Sequence, residues 1–200
     1  MISSQTRAQA SLASTYFSIT GLDVDVDTDV LLYAVYKLVE KENNIRLLFK
    51  KVIESRMFVM TDFLVGCADA PDVGRCERRR DRYFEKIMEY LEEPLGEFLF
   101  AKYGVSLEKI LHVADEIDSI LEDATSFYVK KAMTSVSDAI YDALSSHGYK
   151  VSPSESPLDV LLRIVEEKGG MPLVKALVIY LMVVNYAMAF VMLYLEEHKV

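Results

Sequence analysis

The sequence predicts an all-α protein, a single domain over residues 1–200 built as a bundle of seven to eight helices. Nearly every segment carries apolar residues three and four positions apart, which is the spacing of one helix face. No stretch alternates apolar and polar residues long enough to predict a strand; the closest, residues 22–26, runs into acidic residues. An uncharged run, Ala176 to Leu195, predicts a C-terminal helix that is apolar on every face.

Composition limits the class of protein. Hydrophobic residues make up 52% and charged residues 26% of the 200 residues, which argues against general disorder and allows a sizeable core. The net charge of -9 argues against a surface that wraps nucleic acid, since such binding neutralises phosphates with Lys and Arg. The N-terminus lacks the apolar segment of a secretory signal, so a cytoplasmic location is expected.

Amide side chains are scarce, whereas Glu, Lys and Arg are plentiful. This bias is expected of a hyperthermophile, whose proteins lose thermolabile amides and gain charged pairs. Such a source also admits a protein of an archaeal virus. Nothing in the residues separates host from virus.

The first half of the chain predicts three helices, each with an apolar stripe. The first runs from a Ser3 or Ser4 cap to about Thr20, and Gly21 ends it. The second covers about 28–42, and the third about 45–65.

The middle of the chain predicts three more helices. A fourth covers about 74–91 and should stop before Pro94, because a proline removes a hydrogen bond and clashes inside a helix. A short fifth helix then reaches Gly104. Ser106 caps the sixth and longest pattern, about 106–146, whose apolar residues shift register along its length. Unbroken, this helix would be about 60 Å long. A break near 134–137 would be the reason for a shorter one.

The C-terminal quarter predicts two helices after a flexible, Pro/Ser-rich connector at about 149–156. Pro157 occupies the first position of the seventh helix, which Gly169 and Gly170 end. The last helix, about 172–197, contains the apolar run.

The apolar run Ala176 to Leu195 has two interpretations. About twenty apolar residues suffice to cross a bilayer, so a tail-anchored membrane protein with a cytoplasmic helical domain is the alternative. A buried centre or an oligomer interface is favoured, because seven other predicted helices each have an apolar face that needs a partner. Asn185 and Tyr186 would then need partners inside the protein.

Cys67 and Cys76 lie in a turn-rich segment, GCADAPDVGRC, that lets the chain double back. A disulfide there would close a loop of about ten residues and contribute roughly 2.5 to 3 kcal/mol. Intracellular proteins of hyperthermophiles are an exception to the rarity of cytosolic disulfides. Two free thiols at helix ends remain the alternative.

A basic cluster follows the cysteines, with five guanidiniums in eight residues: Arg75, Arg78, Arg79, Arg80 and Arg82. Such a cluster is a candidate for binding a phosphate, an RNA backbone or an acidic partner. Acidic residues follow at Glu85, Glu89, Glu92 and Glu93. A solvated face with intrahelical or intersubunit ion pairs is the simpler interpretation, and specific nucleic-acid recognition is the least favoured.

No catalytic, cofactor or metal site is predicted. The acidic segment 23–29 fails as an EF-hand because Thr28 and Ala34 stand where Gly and Glu are required. A di-iron bundle needs Glu-x-x-His, yet Lys109, Leu144 and Leu195 precede the three histidines at that spacing. Phosphate-loop, dinucleotide, serine-hydrolase and zinc-protease motifs are absent from the sequence.

The sequence therefore favours a non-enzymatic protein that acts by helix–helix association, as a subunit of a larger assembly or as a homo-oligomer. An enzyme with an unfamiliar helical pocket is a third hypothesis. Its structural sign would be a buried carboxylate or arginine that lines a cavity.

Overall fold

The computed structural model describes residues 28–131, 133, 135–152 and 154–197. In this part of the chain every regular element is an α-helix, and the all-α prediction is confirmed. The described residues form six helices, where seven to eight were predicted for the whole chain: α1 (Thr28–Lys41), α2 (Ile45–Val65), α3 (Val73–Tyr103), α4 (Leu107–Lys130), α5 (Val136–Ser146) and α6 (Pro157–Glu197). The predicted helix at 3–20 lies outside the described residues.

Helix α6 is the centre of the bundle, and it contacts all five other described helices. Leu173, Leu177 and Leu181 are fully buried, and 78% of the most apolar 18-residue window of the helix is covered by the rest of the protein. By length and composition, α6 is also the one helix of the described residues that could cross a membrane. The prediction of a long apolar C-terminal helix is confirmed.

The predicted boundary between the last two helices is a kink within α6. Only Gly170 departs from helical geometry, at φ 63° and ψ -163°, and the helix resumes at once. Glycine tolerates this positive φ, and Pro172 fits two residues after it because the first turn of a helix needs no N–H partner. The two glycines and the proline at 169–172 therefore bend the helix, and no loop separates its two parts.

Helix α3 runs through Pro94, so the prediction of a stop there and of a separate short helix was wrong. Leu91, Leu95 and Leu99 are buried on both sides of the proline. Their packing keeps the helix continuous although the ring costs a backbone hydrogen bond. Gly104, in the left-handed conformation at φ 67°, ends the helix and donates its N–H to the Phe100 carbonyl at 2.8 Å.

The pattern predicted over 106–146 is two helices and not one unbroken helix, and the break between Lys130 and Val136 overlaps the stretch 134–137 that was named for it. Helix α4 ends at Lys130, and α5 begins after Ser135, whose side chain accepts a hydrogen bond from the Asp138 N–H at 3.3 Å. The break lets α5 fold back on α4 and bury Ile140 and Leu144, which one straight helix would carry away from the core. The connector at 149–156 joins α5 to α6, and its flexibility stays a prediction.

Candidate functional site

The cysteine loop joins the end of α2 to the start of α3. The Sγ atoms of Cys67 and Cys76 lie 2.05 Å apart, at disulfide-bonding distance, which favours the bridge over two free thiols. Both cysteines are buried in a small apolar cluster with Phe63, Val191 and Met192. The bridge therefore ties the first turn of α3 to the chain just after α2, and both cysteines pack against the end of the central helix.

Arg80 lies apart from the other four arginines of the basic cluster. Its side chain is buried, and its Nη1 donates to the Phe63 carbonyl at 2.6 Å and to the Leu64 carbonyl at 3.5 Å. These carbonyls belong to the last turn of α2, where no intrahelical donor remains and a cation is favourable. Arg80 is thus a structural cap of α2.

The other four arginines share one side of α3. Arg75, Arg78, Arg79 and Arg82 follow the i, i+3, i+4, i+7 spacing, and Lys86 continues the line. All five are exposed except Arg79, which is half-buried with its guanidinium 5.8 Å from the centre of the Tyr83 ring. Among the residues the structure describes, none of these five cations has an ion-pair partner within 4 Å.

Carboxylates continue the same side of α3 toward its C-terminus. Glu89, Glu93 and Glu97 keep the three-four spacing and are exposed, and they form no ion pair within 4 Å in the described part of the chain. We call this set the α3 face: Arg75, Arg78, Arg79, Arg82, Lys86, Glu89, Glu93 and Glu97. It is basic in its first half and acidic in its second, over about 33 Å. The arginines, Glu89 and Glu93 stand out in the sequence, but their separation by sign along one face was not predicted, although their three-four spacing carried that signal.

The order of charges on the α3 face opposes the helix dipole. A helix is stabilised by acidic residues in its first turns and by basic residues in its last turns. Asp72 at the N-cap and Lys102 in the last turn follow this rule, but on the α3 face Arg75 stands in the first turn and the glutamates lie in the C-terminal half. The stability of α3 alone therefore does not explain this order.

A buried polar network ties α2, α4 and α6 together. Arg56 donates from Nε to Oδ1 of Asp118 at 3.0 Å and from Nη2 to Oδ2 at 2.6 Å. Its Nη1 reaches the side-chain oxygen of Asn185 at 3.4 Å, and Asn185 donates to the Val52 carbonyl at 3.4 Å. Asn185, the one amide of the apolar run, thus has the internal partners that a central helix requires.

Arg56 and Asp118 also line a cleft of about 340 Å³ between α3, α4 and α6, together with Tyr180. A buried arginine that lines a cavity is the feature expected of an enzyme with an unfamiliar helical pocket. The two side chains, however, use both carboxylate oxygens and the facing guanidinium nitrogens on each other. Burial and the nearby Asp118 charge raise the pKa of Tyr180 to about 12, so its phenol stays protonated at neutral pH. The cleft thus contains an ion pair that is already formed, and the carboxylates of Glu85, Glu89 and Glu92 line its α3 side.

The remaining candidates do not come together as a site. Asp23, Asp25 and Asp27 of the acidic segment lie outside the described residues. His112 is exposed on α4, whereas His147 Nε2 lies 2.9 Å from Oδ2 of Asp123. Within the described ranges, no three His, Cys, Asp or Glu side chains are grouped as metal ligands.

Comparison with known proteins gives no further assignment. No family model, no curated protein and no solved structure matches this chain. The functional interpretation rests on the residues of the chain itself, and the α3 face is the feature that folding does not account for.

Proposed function

We propose that this protein is a non-enzymatic association module that binds another protein through the α3 face. One observation supports this above all: eight charges are separated by sign along one exposed face, and the described residues supply an ion-pair partner within 4 Å for none of them. Complementary charge on a partner would supply those pairs. Such patterns set the orientation and the rate of association more than its affinity.

A nucleic-acid partner is disfavoured by the same face. Phosphate backbones are bound by continuous basic surface, but here Glu89, Glu93 and Glu97 continue the basic half and would repel a phosphate chain. The whole chain also carries a net charge of -9. A protein that presents separated charges of both signs fits the face better.

Helix α6 supports the cytoplasmic interpretation in preference to a tail anchor. As a membrane span, α6 would leave its contacts with five helices and separate Asn185 from the buried Arg56. Arg56 would keep its pair with Asp118 but lose this buried hydrogen bond, which is costly. We therefore propose that α6 acts as the core of a cytoplasmic bundle. A hyperthermophilic source, archaeal host or virus, stays a prediction from composition.

The test of the proposed function compares three full-length baits in extract of the cells that express this chain. The first is wild type, and the second carries Arg75→Glu and Arg82→Glu on the α3 face. The third is the matched control, Lys109→Glu with Lys130→Glu, which makes the same charge change on exposed α4 positions. We expect proteins that wild type and control both retain to be lost from the α3 variant by at least about tenfold. Equal retention by all three baits would contradict a role for the α3 face.

A further inference from the structure

We propose that the partner of the α3 face is a second copy of this chain, whose α3 packs antiparallel across a two-fold axis near Lys86. This inference rests on the proposed function and names its partner. A two-fold interface brings the same patch of each copy together, so the patch must be complementary to itself. The α3 face meets this condition, because a second copy turned end to end places its acidic half against the basic half of the first.

The register follows from residue positions. Arg75 and Glu97 each lie eleven positions from Lys86, and Arg79 and Glu93 each lie seven positions from it. Arg82 is four positions before Lys86 and Glu89 three positions after, which is within one residue of the same symmetry. An antiparallel pair centred on Lys86 therefore sets Arg75, Arg79 and Arg82 opposite glutamates, and the symmetry repeats each pair.

The antiparallel arrangement also resolves the unfavourable order of charges within α3. The basic half of one copy lies beside the acidic half of its partner, so each half receives the opposite charge that the helix alone does not provide. A parallel pair would place arginines against arginines and glutamates against glutamates. At the axis the two copies of Lys86 approach each other, and the exposed Glu85 beside each provides a counter-charge.

Apolar side chains stand at both ends of the same interface. Phe100, which is 61% exposed, lies on the α3 face fourteen positions after Lys86. The antiparallel register brings it to the start of the partner's α3, fourteen positions before the partner's Lys86. Aromatic anchors supply much of the affinity of protein interfaces. The charges would then fix orientation, and two Phe100 contacts would close the ends.

An unrelated acidic protein is the competing occupant. It would bind the basic half of the α3 face. The placement of Glu89, Glu93 and Glu97 symmetrically to the arginines about Lys86 would then have no role. The experiment below separates the two partners.

The test measures the mass of the full-length chain by light scattering across a range of protein concentrations. We expect wild type to dimerise at low salt. Arg75→Glu with Arg82→Glu, and separately Glu89→Arg with Glu97→Arg, should each raise the dimer Kd by at least about 100-fold, because like charges then face each other. An equimolar mixture of the two variants should restore a dimer. Lys109→Glu with Lys130→Glu is the control and should dimerise as wild type does.

Orientation is tested by single cysteines under mild oxidation. Lys86→Cys lies at the proposed axis and should form an intermolecular disulfide. Glu97→Cys should not, because the two copies of position 97 would lie about 33 Å apart along antiparallel helices. Cross-linking of both variants would indicate a parallel pair and overturn the proposal. Circular dichroism checks that the variants keep the helical fold.

The outcomes also separate this inference from the proposed function. The wild type could be monomeric while the bait with reversed charges on the α3 face still loses bound proteins. That result would overturn the dimer, and the α3 face would then bind a different partner. A dimer that is insensitive to both reversals would overturn the α3 interface. If bait retention is also unchanged by reversal, the proposed function fails as well.

Discussion

At the scale of single residues, Asn185 shows what the sequence predicts and what it omits. An amide within an apolar run must have a hydrogen-bond partner if the run is buried, and this was predictable. The identity of the partner was not, because Arg56 lies 129 positions away and nothing near it marks it as buried. Arg80 is a second example. In the sequence it is one arginine of a basic cluster, and its contact with the last carbonyls of α2 could not be predicted without the fold.

The first prediction concerns the buried ion pair. Asp118→Ala would leave Arg56, whose side chain is 6% exposed, without its carboxylate. Removing one partner of a buried pair is costly, and because Asp118 itself is 21% exposed we expect a loss of about 2 to 3 kcal/mol in the free energy of unfolding. Urea denaturation measures this loss.

The control for that variant is Asp142→Ala, which breaks the exposed pair between Lys131 and Asp142. It should cost less than about 1 kcal/mol. Equal losses in the two variants would contradict a special role for the Arg56 network.

The second prediction concerns Cys67 and Cys76. A bridge that closes a loop of ten residues restricts the unfolded chain, so a reductant should lower the stability of wild type by about 2.5 to 3 kcal/mol. Cys67→Ala with Cys76→Ala should unfold identically with and without reductant. If wild type is equally indifferent to reductant, the two thiols are free in solution.

At the scale of helices, starts were more predictable than ends. A start depends on local chemistry: Pro157 opens α6 and Ser106 caps α4, as the sequence indicated. Helix α3 continues through Pro94 because buried leucines on both sides pack against other helices. A rule based only on the residues around the proline does not include this packing. The break before α5 was placed only approximately, because the register shift of its apolar residues signals a change of direction but not its position.

The third prediction concerns the attachment of α1 to α6 through Glu40. A hydrogen bond from Lys175 lowers the pKa of Glu40, burial opposes this, and a hydrogen bond from Tyr103 lowers the pKa further. The folded pKa lies below the ordinary value of 4.5, so the carboxylate stabilises the fold above that pH. This stabilisation is lost as the pH falls through the lowered folded pKa.

Glu40→Gln should therefore be less stable than wild type at neutral pH, and the difference should shrink once the pH is well below 4.5. Urea midpoints across this range measure it. Glu54→Gln is the control, since Glu54 is exposed and forms no ion pair within 4 Å among the described residues. A difference that does not change with pH would contradict the assigned ion pair.

At the scale of the whole molecule, one apolar helix determines the architecture and one charged helix determines the proposed function. The apolar run indicated the centre of the bundle because few arrangements hide a helix with no polar face. The α3 face was harder to recognise from sequence. The order of its charges opposes the helix dipole. This order indicates an interface only because the fold leaves that side of α3 exposed and its charges without ion pairs among the described residues.

The most direct test of the central claim is the mass of full-length protein in detergent-free buffer at low salt, by size-exclusion chromatography with light scattering after a high-speed spin. The account predicts a soluble species of twice the chain mass of 22.7 kDa, which the reversal of either half of the α3 face converts to the monomer. A wild-type monomer would contradict the proposed dimer. Recovery only with detergent would contradict the placement of α6 at the centre of a cytoplasmic bundle.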